Sequence, residues 1–370
     1  MPFPYFSIFK TMWRKRTYWV VLLVLAAGIK LFSLFPDAVE KYYATGLYPV
    51  ISKTQRILFG WIPFSVGDIF YMVVVLALIY RLYLLVKKIV QRKTNRQYWW
   101  DLARKTGFVV LAVYVLFNLL WGLNYNRRGV ASQLGIEVNK YSKQELVEVM
   151  EELVHRLNTL DSTARANRTA LNKKSVLFRG AIHSYKKLNG TFPVFAYAYR
   201  SVKPSLFSFL GNYMGYTGYY NPFSGEAQVN TTVPLFVQPF TTCHEIGHQL
   251  GYARENEANF AGYLAARASD DPAFRYSVYF DLYAYSRFYL QAMDSVMAKS
   301  FDDQLRPQVK NDYLELREFV KKHRNPLEAV IDKLYGQYLK ANEQPEGKLS
   351  YSEVISWLVA YARKFGKDAI

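Results

Sequence analysis

Long apolar runs crowd the first third of the chain and are missing from the rest. Three are long enough to cross a bilayer, which takes about 20 mostly apolar residues per helix. The first covers about 17–35 and is broken only by Lys30, placed where a lysine reaches back to the headgroups. The second covers about 66–86. The third, 107–123, is nearly uncharged and closes on Trp121 and Tyr125, residue types that gather at membrane–water interfaces. A cleavable leader over 10–30 is the competing assignment for the first run, but apolar residues continue past Ala26, Ala27 and Gly28. Asp68 and Arg81 fall near the ends of the second run and are read as interfacial anchors.

Beyond residue 123 no stretch reaches 18 apolar residues free of charges and turn formers. The chain therefore divides into a membrane region, 1–123, and one water-soluble domain, 124–370. Ser142 and Glu145 form a capping-box pattern that opens a helix to about Leu157. The polar segment 159–175 is expected as a loop. Aromatic and β-branched residues over 191–199 predict a strand, and 227–233 alternates as a second one. Between them, 205–225 is aromatic and Gly-rich, the pattern of an irregular loop. From 241 the pattern is helical almost to the end, with breaks near Gly251, Pro272, Pro307, Pro326 and Pro345; Ser350 and Glu353 cap a last helix. The expected fold is three N-terminal transmembrane helices followed by a mainly α (α+β) domain with a small sheet.

Charge adds a direction. The formal net charge is +18, and a nucleic-acid partner would need it on the soluble part. Residues 1–106 instead hold 16 Lys and Arg against 4 Asp and Glu, two thirds of the excess. Basic residues precede the first run and fill 87–105, so the positive-inside rule puts both in the cytoplasm. An odd number of spans sends everything after 123 across, into the periplasm of a bacterium. Nucleic-acid binding is disfavoured. With one cysteine, Cys243, no intramolecular disulfide or cysteine zinc cluster is possible; a small buried role is expected for it.

The chemistry concentrates in HEIGH, His244 to His248. Histidines four apart share a helix face, so both imidazoles reach one ion while Glu245 projects beside it. Zn²⁺ in such a site takes three protein ligands, lowers the pKa of a bound water and leaves Glu245 as general base. Gly251 stops the helix, and Glu255-Asn256-Glu257-Ala258-Asn259 opens the next. A carboxylate from that second helix would be the third ligand. Both Glu255 and Glu257 are candidates; Glu255 is favoured because Asn259, four residues on, then faces the same way to orient a ligand histidine. His155 and His183 read as helix-surface residues.

HEIGH followed by ENEANFAGYLAA resembles the gluzincin metallopeptidases. That resemblance implies two histidines and a glutamate as ligands and an oxyanion stabiliser from downstream. Tyr351 and His323 are the candidates for that role, with Tyr279 and Tyr283 behind them. It also implies an edge strand that holds extended peptide, expected at 227–232. Asn259 stands where many gluzincins have Asp, and the spacing to the glutamate is shorter than in thermolysin-like enzymes. More widely, IPFSVGDIFY (62–71), WGLNYNRRG (121–129) and KPSLFSFLGNYMGYTGYYNPFSGEAQVN (203–230) resemble an uncharacterised bacterial membrane-protein family, a domain of unknown function.

The expected activity is a zinc metallopeptidase at the outer face of the cytoplasmic membrane, acting on a peptide or protein substrate in or near the bilayer. The other readings are a zinc amide hydrolase acting on cell-wall peptide and a non-catalytic protein with a structural metal site. Glu245 argues against the last, since a structural site needs no general base. The polar neighbours Gln238, Gln249, Arg254 and Glu255 argue against a site inside the bilayer core. The aromatic, Gly-rich loop 205–225 is a candidate lid, to be tested by pruning 213–220.

Overall fold

In the computed structural model of the protein, which describes residues 13–342 and 353–370, each apolar run is a helix. The first span is α1 (Arg16–Ser33). The connection to the second span is helical too: a π-helical stretch, Val39–Leu47, continues into α2 (Tyr48–Phe59). The second and third spans are α3 (Val66–Val90) and α4 (Arg96–Leu120), 25 residues each. Length and apolar composition suit all three for crossing a membrane, which makes this a multi-pass membrane protein. Caps set the ends. Ser65 Oγ accepts from the Asp68 amide at the start of α3, and Asn95 Oδ1 from the Tyr98 amide at the start of α4. That second cap starts α4 well before the apolar run at 107. The chain leaves α4 at Leu120 into a 3₁₀ turn, Gly122–Asn126.

The domain opens with α5 (Lys143–Arg168), whose capping box is fully formed. It runs through the segment expected as a loop, because Leu160 and Ala164 belong to the core and Arg168 reaches Asp312 at 2.6 Å. Next is α6 (Lys174–Thr191). The strand expected over 191–199 does not form. Pro193 has no amide to donate, and Phe195 is fully buried in the core instead. The sheet consists of β1 (Val202–Pro204), β2 (Gly218–Asn221) and β3 (Glu226–Val229), with α7 (Ser208–Met214) between the first two. Its order is β1-β3-β2, with β1 parallel and β2 antiparallel to β3. The strand expected at the edge, 227–232, is therefore central, and β2 is the edge beside it. Then come α8 (Gln238–Gln249), α9 (Glu255–Arg267), α10 (Pro272–Met293), α11 (Ser295–Gln304), α12 (Pro307–His323), α13 (Glu328–Ala341) and α14 (Glu353–Phe365). Among the described residues the breaks fall near Gly251, Pro272, Pro307 and Pro326 as predicted, with one more at Asp294; Pro345 and Ser350 lie outside the described residues. One core joins α5, α6, α8, α9, α10 and α14.

Two ion pairs link the exit of α4 to the end of α1, and they differ in burial. Arg127 is buried and grips Glu40 with Nε at 3.0 Å and a terminal nitrogen at 2.8 Å; Gln133 also donates to Glu40. Arg128 and Asp37 pair at 2.7 Å in the open. Removing one partner of a buried pair costs roughly 3–5 kcal/mol, while an exposed pair contributes about 0–1 kcal/mol. Glu40→Ala is therefore expected to lower the thermal midpoint in detergent clearly, and Asp37→Ala barely. Equal shifts would contradict this account of the junction.

Candidate metal centre and active site

The metal helix α8 ends at Gln249, and Gly251 takes a φ of +88° to reverse the chain. A Cβ there would lie 2.8 Å from the Tyr48 ring, so the turn needs glycine for conformation and for space. The return brings the first turn of α9 across α8. His244, His248 and Glu255 then place three donor atoms within 4.8 Å of one another. Both Nε2 atoms face one oxygen, Glu255 Oε2, at 3.3 Å from His244 and 3.8 Å from His248. Tetrahedral zinc with bonds of about 2.0–2.2 Å keeps its donors about 3.3–3.6 Å apart, close to these separations, so this donor set suits a zinc ion.

The sequence left Glu255 and Glu257 both open as ligands. Glu255 joins the cluster. Glu257 points the other way, against the backbone of Gly129, with Arg254 at 3.9 Å.

Neighbours orient the ligands. His248 Nδ1 lies 2.8 Å from the Tyr252 carbonyl. A carbonyl only accepts, so Nδ1 carries one proton and Nε2 is the atom turned to the cluster. Tyr335, from α13, donates to Glu255 Oε1 at 2.8 Å. Asn259 faces His244 and favours its charged form, but the two are not in hydrogen-bond geometry: neither His244 Nδ1 nor Asn259 Nδ2 has a partner among the described residues.

The electrostatics suit a cation. Burial opposes ionisation of Glu255, but the two imidazoles outweigh it and hold the carboxyl well below its ordinary range. Burial lowers His244; it opposes charge on His248 too, yet Glu255 pulls that imidazole up to about 9. The proton so held on His248 is the one a metal would displace. Glu245 sits just outside the ligand set. Burial, with help from Glu255 and against the pull of His248, pushes it up to about 8. Its Oε2 is buried with no hydrogen-bond partner among the described residues. Its other oxygen lies against Gly218, the first residue of β2, where an added Cβ would sit 2.7 Å away.

Other predicted residues lie elsewhere. His323 bonds the Phe319 carbonyl at 2.8 Å and lines an apolar cavity of about 110 Å³ with Tyr213, Tyr216 and Val237, which no cluster residue lines. Tyr283 bonds Asp302 at 2.8 Å and Tyr279 the Ile370 carbonyl, both in the core. Tyr351 lies outside the described residues. The 205–225 segment is not a free lid, since Tyr219 bonds Asp68 and the Tyr220 ring packs at a tilt against Trp121, centroids 5.2 Å apart. Cys243 is fully buried, and burial raises its thiol. Sequence reasoning missed three functional neighbours. Tyr335 carried no signal among 31 tyrosines. Gly218 sat in a segment read as loop. Trp121 was marked only as an interfacial residue, yet its indole N–H donates to the His248 carbonyl at 3.2 Å.

Fold and site together define a membrane-anchored helical protein with a His-Glu-x-x-His plus Glu cluster positioned like a zincin active site, a metal-dependent enzyme. Over residues 43–359 the chain matches the model of a family described as "Protein of unknown function (DUF3810)", and it belongs to that family. No curated protein and no solved structure matches it.

Metal analysis of the detergent-purified protein is expected to find about one zinc per chain, as a single His₂Glu site requires. His248→Ala and Glu255→Ala should lose it and Glu257→Ala should keep it. Tyr335→Phe should weaken zinc binding roughly tenfold to a hundredfold, the usual effect of deleting a ligand's orienting partner. Zinc retained in Glu255→Ala would contradict the ligand assignment.

Proposed function

We propose that this protein is a zinc peptidase whose general base is Glu245. The observation that carries the reading is the buried carboxylate oxygen of Glu245, which has no partner among the described residues and lies beside three metal-ligand side chains. Leaving such an oxygen unpaired costs about 1–3 kcal/mol, which water or substrate in the site would relieve. Zinc would be held by His244, His248 and Glu255 and would supply Lewis acidity. Glu245 would accept a proton from the attacking water and return it to the leaving amine. Its raised pKa suits both halves of the transfer.

A peptide substrate is favoured by β2. Asn230 donates to the Thr217 carbonyl at 2.8 Å, so the Thr217–Asn230 pair is hydrogen-bonded and, by alternation, the Gly218–Val229 pair is not. The backbone N–H and C=O of Gly218 therefore turn away from β3. An extended peptide added there would run alongside Glu245, as in strand addition.

We place the division between anchor and hydrolase at residue 123, with 124–370 in the periplasm of a bacterium, on the strength of the basic flanks of the first two spans. Residues 36–63 nevertheless complete the wall of the site. Tyr48 and Ser52 each donate to the Gln249 carbonyl at 2.9 Å.

Glu245→Gln is expected to keep its zinc and lose roughly 10²–10⁴-fold in hydrolysis of a mixed peptide pool. Gly218→Ala should keep zinc and lose most activity through the clash with Glu245. A Glu245→Gln variant as active as wild type would exclude this role.

A further inference from the structure

We propose that the site cuts polypeptides that are themselves anchored in the membrane, at bonds just outside the bilayer; this rests on the peptidase reading above. The spans act as rulers for the height of the site. In α4 the last charge is Lys105, and the chain is then uncharged as far as Arg127. About 20 residues span the hydrocarbon core, which brings its far edge near Tyr125. Trp121 falls within that length, and its indole bonds the backbone of the metal ligand His248.

A second ruler agrees. Counting back about 20 residues from Lys87 in α3 reaches Gly67, with Arg81 near the inner end where a long side chain can snorkel. At that outer end Glu226, fully buried on β3, accepts from the amides of Val66 at 3.1 Å and Gly67 at 2.6 Å. Asp68 accepts from the Leu206 amide at 2.6 Å and from the Tyr219 hydroxyl. Tyr219 is next to Gly218, which packs on Glu245. A metal ligand and the general base are thus each fastened to the outer end of a span, with no linker between.

The surface around these fastenings is built for lipid. On α2 the buried face is largely polar, made of Tyr48, Ser52, Gln55 and Arg56, and the outward face is mostly apolar, with Lys53 and Thr54 its exposed polar members. Leu47, Val50 and Leu58 lie along it, 51–61% exposed, followed by Trp61 at 78%. A water-facing helix would show the reverse; an interfacial one looks like this. Leu206, Phe209 and Leu210 extend the patch, more than half exposed. The Leu206 amide bonds Asp68, so the patch is continuous with the start of α3. The bilayer surface is the occupant this continuity selects.

A site held at that height meets a chain as it leaves the bilayer. Anchoring substrate and enzyme in one membrane also raises their effective concentration, which a free peptide lacks. Full-length zinc-loaded protein in proteoliposomes would be given two probes: a mixed-sequence segment joined to an apolar span of about 20 residues, and the same segment without the span. The anchored probe is expected to be cut roughly tenfold faster or more, at positions next to the span. Equal rates, or cuts scattered along the segment, would overturn the juxtamembrane assignment while leaving the peptidase reading intact. No cleavage of either probe beyond Glu245→Gln background would overturn the peptidase reading itself. A second readout needs no activity. Cys243 is buried, so Phe209→Cys and Leu58→Cys can be labelled selectively with bimane. Nitroxide lipids labelled near the headgroup should quench both. Absence of quenching would overturn the seating on the membrane.

Discussion

The constraint behind the rest of the structure is a buried carboxylate held between two imidazoles, one buried and one partly so. Burying an ionised group costs several kcal/mol unless close partners compensate. Glu255 has His244, His248 and Tyr335. That arrangement requires α8 and α9 to cross at one turn of chain. The crossing requires Gly251 in a left-handed conformation, with Tyr48 packed against it. Tyr48 belongs to the helical connection between the first two spans, so the metal centre and the membrane region are one mechanical unit.

This dependence explains why so many polar groups are buried where a soluble domain would have a loose boundary. The Gln249 carbonyl lies at the end of α8 and is met by Tyr48 and Ser52, while the His248 carbonyl accepts from the Gly251 amide and also from Trp121; the three side chains come from membrane-proximal elements. The amides that open α3 are met in turn by Glu226 from the sheet. Each side supplies the hydrogen bonds that the other's helix ends lack. The general base inherits its position from the same scheme, because β2 carries Tyr219 on the α3 side and Gly218 on the Glu245 side.

The local patterns were legible from the chain. The three spans, the α5 capping box, the HEIGH helix, its Gly251 stop and the preference for Glu255 each depend on residues within a few positions of one another, where helical spacing decides who faces whom. What was not legible depended on distant partners. The 191–199 stretch has the composition of a strand, but Phe195 gains more from burial in the core than from pairing. The order β1-β3-β2 puts the expected edge strand in the middle, and nothing in the short run Glu226–Val229 states how many neighbours it has. Tyr335 reaches Glu255 from 80 residues away, by a route no periodicity encodes. The connection 36–63 gave no sign that it walls the metal helix, because the residues of α2 that face inward, Ser52, Gln55 and Arg56, are polar.

The most direct test of the central claim is X-ray absorption at the zinc edge on wild-type protein purified in detergent. The account predicts two histidine nitrogens and light oxygen donors at about 2.0–2.2 Å, four-coordinate, and no zinc signal above background in His248→Ala. A sulfur shell near about 2.3 Å, or a shell unchanged in His248→Ala, would mean that the metal is bound elsewhere and that this cluster is not the catalytic centre.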